Sequence, residues 1–327
     1  MGDPAGVGPE VTVKALNLWK KKGLQGEFLL LGPAAVFNAI SKKLSLNFSF
    51  AGIRHLSEWK SRLSFVPCYF DADFSGNIQH GRSEKRLTRF SVRSIQLAAK
   101  LAMRKEVDAI VTAPINKAGL KKAGFTMPGH TEYLASLSGT KKFEMMLVGG
   151  KLKVVLVTRH TPLKEVWKNI SKKRVEDVIY LTDRELRSLF GIKRPKIVVC
   201  GLNPHAGEEG HIGREEITVI GPALRAARRK TNAEIVGPLS PDALFHDAYL
   251  GKYDAEICMY HDQGLIPLKM ISRGSGVNVT LGLPFVRTSP DHGTAYDIAG
   301  KGVADAGSMF EAMRLAATLS LNRKRYA

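Results

Sequence analysis

Short apolar runs that stop abruptly at polar, histidine-bearing loops set the tightest limit on the fold. Lys196 to Cys200 reads KIVVC and gives way to Gly201-Leu202-Asn203-Pro204-His205. Leu152 to Thr158 reads LKVVLVT and gives way to Arg159-His160, and Asp254 to Met259 gives way to Tyr260-His261-Asp262-Gln263-Gly264. Near-continuous apolar runs of this length suit strands buried on both faces, as in a parallel sheet covered by helices. Ligands of such sheets bind beyond the carboxyl ends of the strands, where loops are free to carry polar groups. Three histidines at three strand ends therefore make a metal-site hypothesis, because three imidazoles leave a coordination position open for a substrate oxygen. Their spacing carries no local signature, and a hydrogen-bonded loop residue is the plain alternative for each.

Between these runs the apolar residues recur at helical spacing. Helices are expected over Val11 to Trp19, Ala34 to Leu44, Thr88 to Lys105 and Ser171 to Phe190, the last closed by Gly191. Others are expected over Arg214 to Arg229, interrupted at Pro222, over Ala243 to Leu250 behind a Ser240 cap, and over Ser308 to Leu321. Thr131 is expected to cap a helix running through Leu137. Further strands are expected at Phe28 to Leu31, Val107 to Thr112, Glu144 to Val148, Glu234 to Val236 and Val277 to Leu281, with Gly149-Gly150 as a two-residue hairpin turn. Residues 51–80 carry no clear period. Asn203 to Gly213 is too long and polar for a simple connector, with His205 near the strand end and His211 facing solvent. Pro284 to Gly302 is nearly structureless by periodicity, the mark of a functional loop.

A chain of 327 residues, 44% hydrophobic and 24% charged, has the composition of a soluble globular protein of one large or two ordinary domains. No apolar run reaches the roughly 18 to 20 residues of a membrane span, and no signal-peptide pattern opens the chain; a cytoplasmic location is expected. Cys200 and Cys258 fall inside apolar runs, so buried thiols are expected rather than disulfides. The net charge of +19 is spread over short clusters such as Lys20 to Lys22 and Arg225 to Lys230. That pattern suits a solvated basic surface that draws in anionic substrates better than a nucleic-acid face, and membrane partners are not expected.

Several other residues carry chemistry. Met1 to Glu10 (MGDPAGVGPE) is a glycine-rich turn before a helix, but no strand precedes it and a Walker lysine is missing. His130 lies beside a helix N-terminus, where an anion or a bland capping loop is equally at home. Lys269 and Arg287 flank Asn278, a set that suits a phosphate or carboxylate, with ordinary surface cations as the alternative. Asp242 and Asp262 are candidates to orient the imidazoles or to accept a proton.

Taken together, the stretches GDPAGVGPE (Gly2 to Glu10), TAPINK (Thr112 to Lys117), GHTE (Gly129 to Glu132), TRHTP (Thr158 to Pro162), GLNPHAG (Gly201 to Gly207), GPLSPDALF (Gly237 to Phe245), YHDQG (Tyr260 to Gly264) and Asp291 to Gly302 resemble the 4-hydroxythreonine-4-phosphate dehydrogenases of vitamin B6 synthesis. The resemblance spans nearly the whole chain. It implies an isocitrate/isopropylmalate dehydrogenase-like fold, with two α/β/α domains and the active site in the cleft between them. Residues 1–128 with 278–327 would form one domain, carrying the cofactor loop, and 129–277 the other, carrying the metal site and the dimer interface. His160, His205 and His261 would bind Zn2+, Mg2+ or Co2+, with one histidine supplied by the partner of a homodimer that shares its active site. Substrate contacts would fall to His130, Thr131, Lys269, Asn278 and Arg287, and proton handling to Asp242 and Lys269. The loop from Asp291 to Gly300, with His292, Gly293 and Asp297, would hold NAD or NADP without a Rossmann fingerprint.

The implied reaction is oxidation of the C3 hydroxyl of 4-phosphohydroxythreonine, followed by loss of CO2 from the β-keto acid. Paralogues acting on phosphothreonate or phosphoerythronate would share these motifs. An inactive basic protein that binds nucleotide or nucleic acid is the alternative from another class. In the family a short apolar strand commonly precedes the GDPAG loop, whereas this sequence opens on Met1 of the loop itself. Either the start lies downstream of the usual one or that strand is absent, which leaves open what anchors the loop.

Overall fold

The computed structural model describes residues 1–53, 55–60, 66–69, 77–127 and 129–326. In chain order the elements are α1 (Gly8–Lys21), β1 (Leu30–Leu31), α2 (Ala34–Lys43), β2 (Phe50–Ile53), β3 (Val66–Tyr69), α3 (Lys85–Met103), β4 (Ala109–Val111), α4 (Lys117–Lys122), α5 (His130–Leu137), β5 (Glu144–Gly149) and β6 (Leu152–Leu156). There follow α6 (Lys172–Ser188), β7 (Lys196–Cys200), α7 (Gly221–Arg228), β8 (Glu234–Leu239), α8 (Pro241–Leu250), β9 (Ala255–Cys258), α9 (His261–Ser272), β10 (Val277–Leu281), β11 (Val286–Pro290) and α10 (Gly307–Tyr326). They fall into two compact units, residues 1–141 with 283–317 and residues 142–282 with 318–327. The crossings fall at 141/142 and 282/283 rather than at the expected 128/129 and 277/278, so α5 belongs to the first unit and Asn278 to the second, and the last residues, 318–327, join the second unit rather than the first.

In the first unit β1, β3 and β2 lie side by side, all parallel, with Leu30 opposite Cys68 and Phe50 opposite Val66. Their core is aromatic: Trp19 of α1 meets Phe28 edge-on at 5.1 Å, and Phe37 packs on Phe50 at 5.6 Å. The same unit holds β4 and β11, parallel, with Val286 opposite Ala109. Neither residues 51–80 nor Pro284 to Gly302 prove featureless, since β2 and β3 lie in or at the edge of the first and β11 in the second. Residues 61–65 and 70–76 of the first stretch lie outside the described residues. Periodicity misses β11 because Arg287, Thr288 and Ser289 are all buried there, so no apolar alternation marks the strand. The N-terminal loop is anchored by backbone: the Asp3 amide donates to the Pro114 carbonyl at 2.8 Å, and Ser91 Oγ donates to the Gly2 carbonyl at 2.9 Å.

In the second unit the strands run in the order β10, β5, β6, β9, β7, β8. β5 is antiparallel to both of its neighbours, and the later pairs are parallel. Gly149 pairs with Leu152, which puts the hairpin turn at Gly150-Lys151, one residue beyond the expected pair; Gly150 supplies the positive φ of 57°. Side chains of Val154, Val198, Cys200 and Cys258 pack on one face against Leu244 and Ala248 of α8 and Leu265 and Leu268 of α9. Across the sheet, α6 buries Val175, Val178, Ile179 and Leu186. Each such side chain contributes about 1.5–3 kcal/mol relative to leaving it in water. Thr182, a polar residue on that stripe, donates its hydroxyl to the Val178 carbonyl at 2.8 Å. Pro222 falls at the start of α7, just after a π-helical turn at Glu216–Ile220, which is the interruption its ring predicts. All three cysteines are buried free thiols. Among the described residues no helix is long and apolar enough to cross a membrane. Both units are of the α/β class, with helices on both sides of the sheets.

Candidate functional site

In the first unit Arg287 of β11 is 3% exposed. Its Nη2 donates to Thr112 Oγ1 at 2.7 Å and its Nη1 to Thr131 Oγ1 at 3.3 Å. Burial pushes the guanidinium down to about 10, with the Glu132 carboxylate acting the other way, so it stays charged at neutral pH. Thr131 is not the N-cap; that position belongs to Gly129, and Thr131 lies in the first turn of α5. The reason is local: the extended backbone of Gly129 starts the helix, and the Thr131 hydroxyl is engaged by Arg287. His130, the first residue of α5, is held well below the ordinary imidazole range, by burial first and by Arg287 second. At neutral pH it is an uncharged ring beside a buried cation and a helix N-terminus. That arrangement attracts an anion and offers a neutral donor or acceptor.

Also in the first unit, the 291–306 segment leaves β11 and runs without a helix or strand until α10. His292, Gly293 and Asp297 lie on it; Gly293 and Asp297 are exposed, and nothing stands within 4 Å of where a Gly293 side chain would begin. Open backbone of this kind leaves room for a flat ligand to approach.

The second unit places the three histidines differently from one another. His160 and His261 have ring centroids 5.8 Å apart. His261 begins α9 and has its Nδ1 2.7 Å from Asp262 Oδ1. With the proton on Nδ1, Asp262 fixes the ring and leaves the Nε2 lone pair as a ligand. His205 stands in a turn where five successive residues, His205 to Glu209, have positive φ between 44° and 82°. Its side chain is 67% exposed. The expected three-histidine site is not formed within one chain: among the described residues no three His, Cys, Asp or Glu side chains gather as a metal cluster. His205 is carried outward on its turn while the other two pair. The donor chemistry of three imidazoles suits a divalent metal, but one chain brings only two rings close. His211 is exposed, as expected.

Supports for this region were not legible locally. Glu216, buried in the π-helical turn, takes the Leu202 and Asn203 amides on Oε1 at 2.7 and 2.8 Å and Asn203 Nδ2 on Oε2 at 3.0 Å, holding the loop that carries His205. Glu144, also buried, accepts from Arg159 at 3.0 Å and from both Nη atoms of Arg174, fixing the chain just before His160. Gln263 bridges the Met259 amide and the Gly201 carbonyl, each at 2.7 Å, tying together the ends of β9 and β7. Asp242 is exposed, and the Ser240 hydroxyl donates to it; this contact first, then backbone amides and His205, hold its carboxyl below the usual range. Lys269 is exposed on α9, while Asn278 lies on β10 with its Oδ1 buried and without a hydrogen-bond partner.

The family model described as pyridoxal phosphate biosynthetic protein PdxA matches residues 25–316. The chain belongs to the PdxA family. A 4-hydroxythreonine-4-phosphate dehydrogenase of Sulfurihydrogenibium sp. (strain YO3AOP1) is 40% identical over 99% of this chain and 98% of its own. A D-threonate 4-phosphate dehydrogenase of Salmonella typhimurium is also 40% identical, over 98% of this chain and 97% of its own. Among solved structures, a 4-hydroxythreonine-4-phosphate dehydrogenase from Klebsiella pneumoniae superposes with a TM-score of 0.85 at 39% identity, covering 98% of both chains. Membership in this dehydrogenase family makes the chain an oxidoreductase acting on a CH-OH group. Within the PdxA frame, the residues expected to contact substrate and metal sort cleanly by unit. His130, Thr131 and Arg287 come from the first, and the histidine trio, Asp242, Lys269 and Asn278 from the second.

Proposed function

We propose that this PdxA-family chain oxidises the C3 hydroxyl of 4-phosphohydroxythreonine to the 3-ketone in vitamin B6 synthesis. The observation that carries the reading is the likeness, over nearly the full length of both chains, to 4-hydroxythreonine-4-phosphate dehydrogenases. The equal identity to a D-threonate 4-phosphate dehydrogenase supports a second substrate of the same shape, a four-carbon hydroxy acid with a phosphate at its far end. Both substrates present a secondary alcohol near a carboxylate and a dianion at the other end.

Arg287, with Thr131 beside it and neutral His130 at the N-terminus of α5, receives an anionic end of the substrate. Lys269 and Asn278 supply a second cation and an amide. Asp242, held ionised by Ser240, accepts a proton, and Lys269 is the alternative carrier. His160, His205 and His261 are the metal ligands, one of them coming from the partner of a homodimer, and His292, Gly293 and Asp297 lie against NAD or NADP. When bound, the nicotinamide supplies a hydride acceptor, and Zn2+, Mg2+ or Co2+ supplies positive charge that acidifies the hydroxyl. The ketone formed is a β-keto acid, which loses CO2 to leave 3-amino-2-oxopropyl phosphate. A cytoplasmic location goes with this reading.

The test follows reduced nicotinamide on chelator-stripped and metal-restored protein, with 4-phosphohydroxythreonine and D-threonate 4-phosphate, each with NAD and NADP. Metal-dependent turnover of the first substrate, with the higher kcat/KM, is expected. No turnover of either under any condition would sink the proposal, and salt-sensitive RNA or DNA binding in its place would favour the non-enzymatic alternative.

A further inference from the structure

The N-terminal glycine-rich stretch does not behave as a phosphate loop; its polar groups are turned onto a segment almost three hundred residues away. Asp3, 2% exposed, accepts the Ala5 amide on Oδ1 at 2.9 Å and the Tyr296 hydroxyl on Oδ2 at 2.5 Å. The Val7 amide donates to the Thr294 carbonyl at 3.0 Å. Glu10, 5% exposed, accepts the Ala304 amide at 2.8 Å and the Gly302 amide at 3.2 Å. Lys14, one turn on, closes the arrangement by donating to Glu10 and to the Gly302 and Ala304 carbonyls, at 2.8, 2.9 and 2.7 Å. Gly6 lies so close beneath the segment that a Cβ there would stand 2.8 Å from the Thr294 carbonyl oxygen.

Two buried carboxylates thus grip the 291–304 segment at two points, near its middle and at its far end. Each makes charge-assisted bonds, the strong kind, inside a core that excludes competing water. Burial and Asp3 both raise the Tyr296 hydroxyl above the usual phenol range, so it remains a donor throughout the working pH range. Without these bonds the segment, which has no helix or strand of its own, would have to be ordered by whatever binds it, at a cost in affinity.

We propose that Asp3, Glu10 and Tyr296 are positioning residues for the dinucleotide, holding the 291–304 segment in the shape that receives it. The proposal rests on the reading of His292, Gly293 and Asp297 as cofactor-binding. The GDPAGVGPE stretch then serves the cofactor by setting its loop rather than by touching its phosphates.

The test measures the dissociation constant of NADH by its fluorescence, without turnover, in the parent and in Tyr296→Phe, Asp3→Asn and Glu10→Gln. KM for dinucleotide and for phosphorylated substrate, kcat at saturating dinucleotide and the melting temperature are measured alongside. Loss of a charge-assisted bond should weaken NADH binding roughly ten- to a hundredfold. KM for substrate and kcat should stay within about twofold, since no reacting group is altered. Tyr296→Phe removes a single hydroxyl and keeps the ring, so it reports even if a carboxylate variant fails to fold. His292→Ala and Asp297→Ala act on the loop directly. If these weaken NADH binding while the three grip variants leave it unchanged, the positioning role is overturned and the cofactor loop stands. If none of the five weakens it, the cofactor reading itself has failed. A lower melting temperature and kcat together with equal rises in both KM values would assign the grip to folding alone and also overturn the proposal.

Discussion

Arg287 is a buried cation whose planar fork reaches two threonine hydroxyls on separate elements, β4's exit and α5. A lysine keeps the charge but not the fork. Arg287→Lys is expected to raise KM for the phosphorylated substrate roughly ten- to a hundredfold while leaving KM for dinucleotide nearly unchanged, as steady-state kinetics would show. An unchanged substrate KM would remove Arg287 from the binding site. Glu256 makes the opposite case, a buried charge with no assigned task. It is fully buried on β9, accepts the Lys153 amide at 2.9 Å through Oε2, and leaves Oε1 without a partner. Burial raises its carboxyl to about 7, against the lesser pull of the Lys153 amide and charge. Because the folded state holds this proton more tightly than the unfolded chain, the contribution of Glu256 to stability is greatest below about pH 4.5, falls as pH rises toward 7, and is flat above. The loss is on the order of 3 kcal/mol. In urea titrations Glu256→Gln should lose that slope and be the more stable protein at pH 8. If parent and variant keep the same pH slope, the carboxyl is not protonated in the folded chain.

At the scale of elements, the loop after β7 is held by a single buried side chain at three points, two backbone amides and the Asn203 amide group. Glu216→Ala removes the acceptor for the Leu202 and Asn203 amides. Those two amides should then exchange hydrogen roughly ten- to a hundredfold faster, read by mass spectrometry or NMR, while the amides of β9 keep their protection. Equal rates in the variant would mean the loop is held by other contacts. The elements themselves were readable wherever burial was apolar. KIVVC and VNVTL appear as β7 and β10 with the expected bounds, and α6 carries its apolar stripe as expected. β11 escaped because its buried side chains are polar, and the start of α9 escaped because Asp262, Gln263 and Gly264 look like a loop. Gln263 is committed to the Met259 amide and the Gly201 carbonyl, and Gly264 lies against Val154 and Cys258. Neither fact has a signature along the chain. Glu10 shows the same limit: it looks like a first-turn acid of α1, and its partners are the amides of Gly302 and Ala304.

For the whole molecule, the gap between three histidines in the sequence and two adjacent rings in the chain is the most informative feature. His160, His205 and His261 were recognisable at strand ends, but sequence gives no distances, and the set does not close within one subunit. If a homodimer partner completes the set, as proposed above, metal binding depends on assembly. Metal content per chain and specific activity should therefore fall together on dilution through the dissociation range, tracked by sedimentation, and His261→Ala should bind metal at least tenfold more weakly. A monomer that keeps its metal, or a His261→Ala protein that binds as tightly as the parent, would end that account.

The turn from His205 to Glu209 has one further consequence. Left-handed backbone costs roughly 1–2 kcal/mol at each of the four L-residues here, His205, Ala206, Glu208 and Glu209, with only the achiral Gly207 indifferent to it, so this stretch is a fragment of mirror-image helix made largely from building blocks of the wrong hand. A D-alanine at position 206 would be more at ease there than the native residue. What keeps the native one in place is its surroundings, Glu216 among them, and the turn is therefore a spring under load whose first residue is a proposed metal ligand.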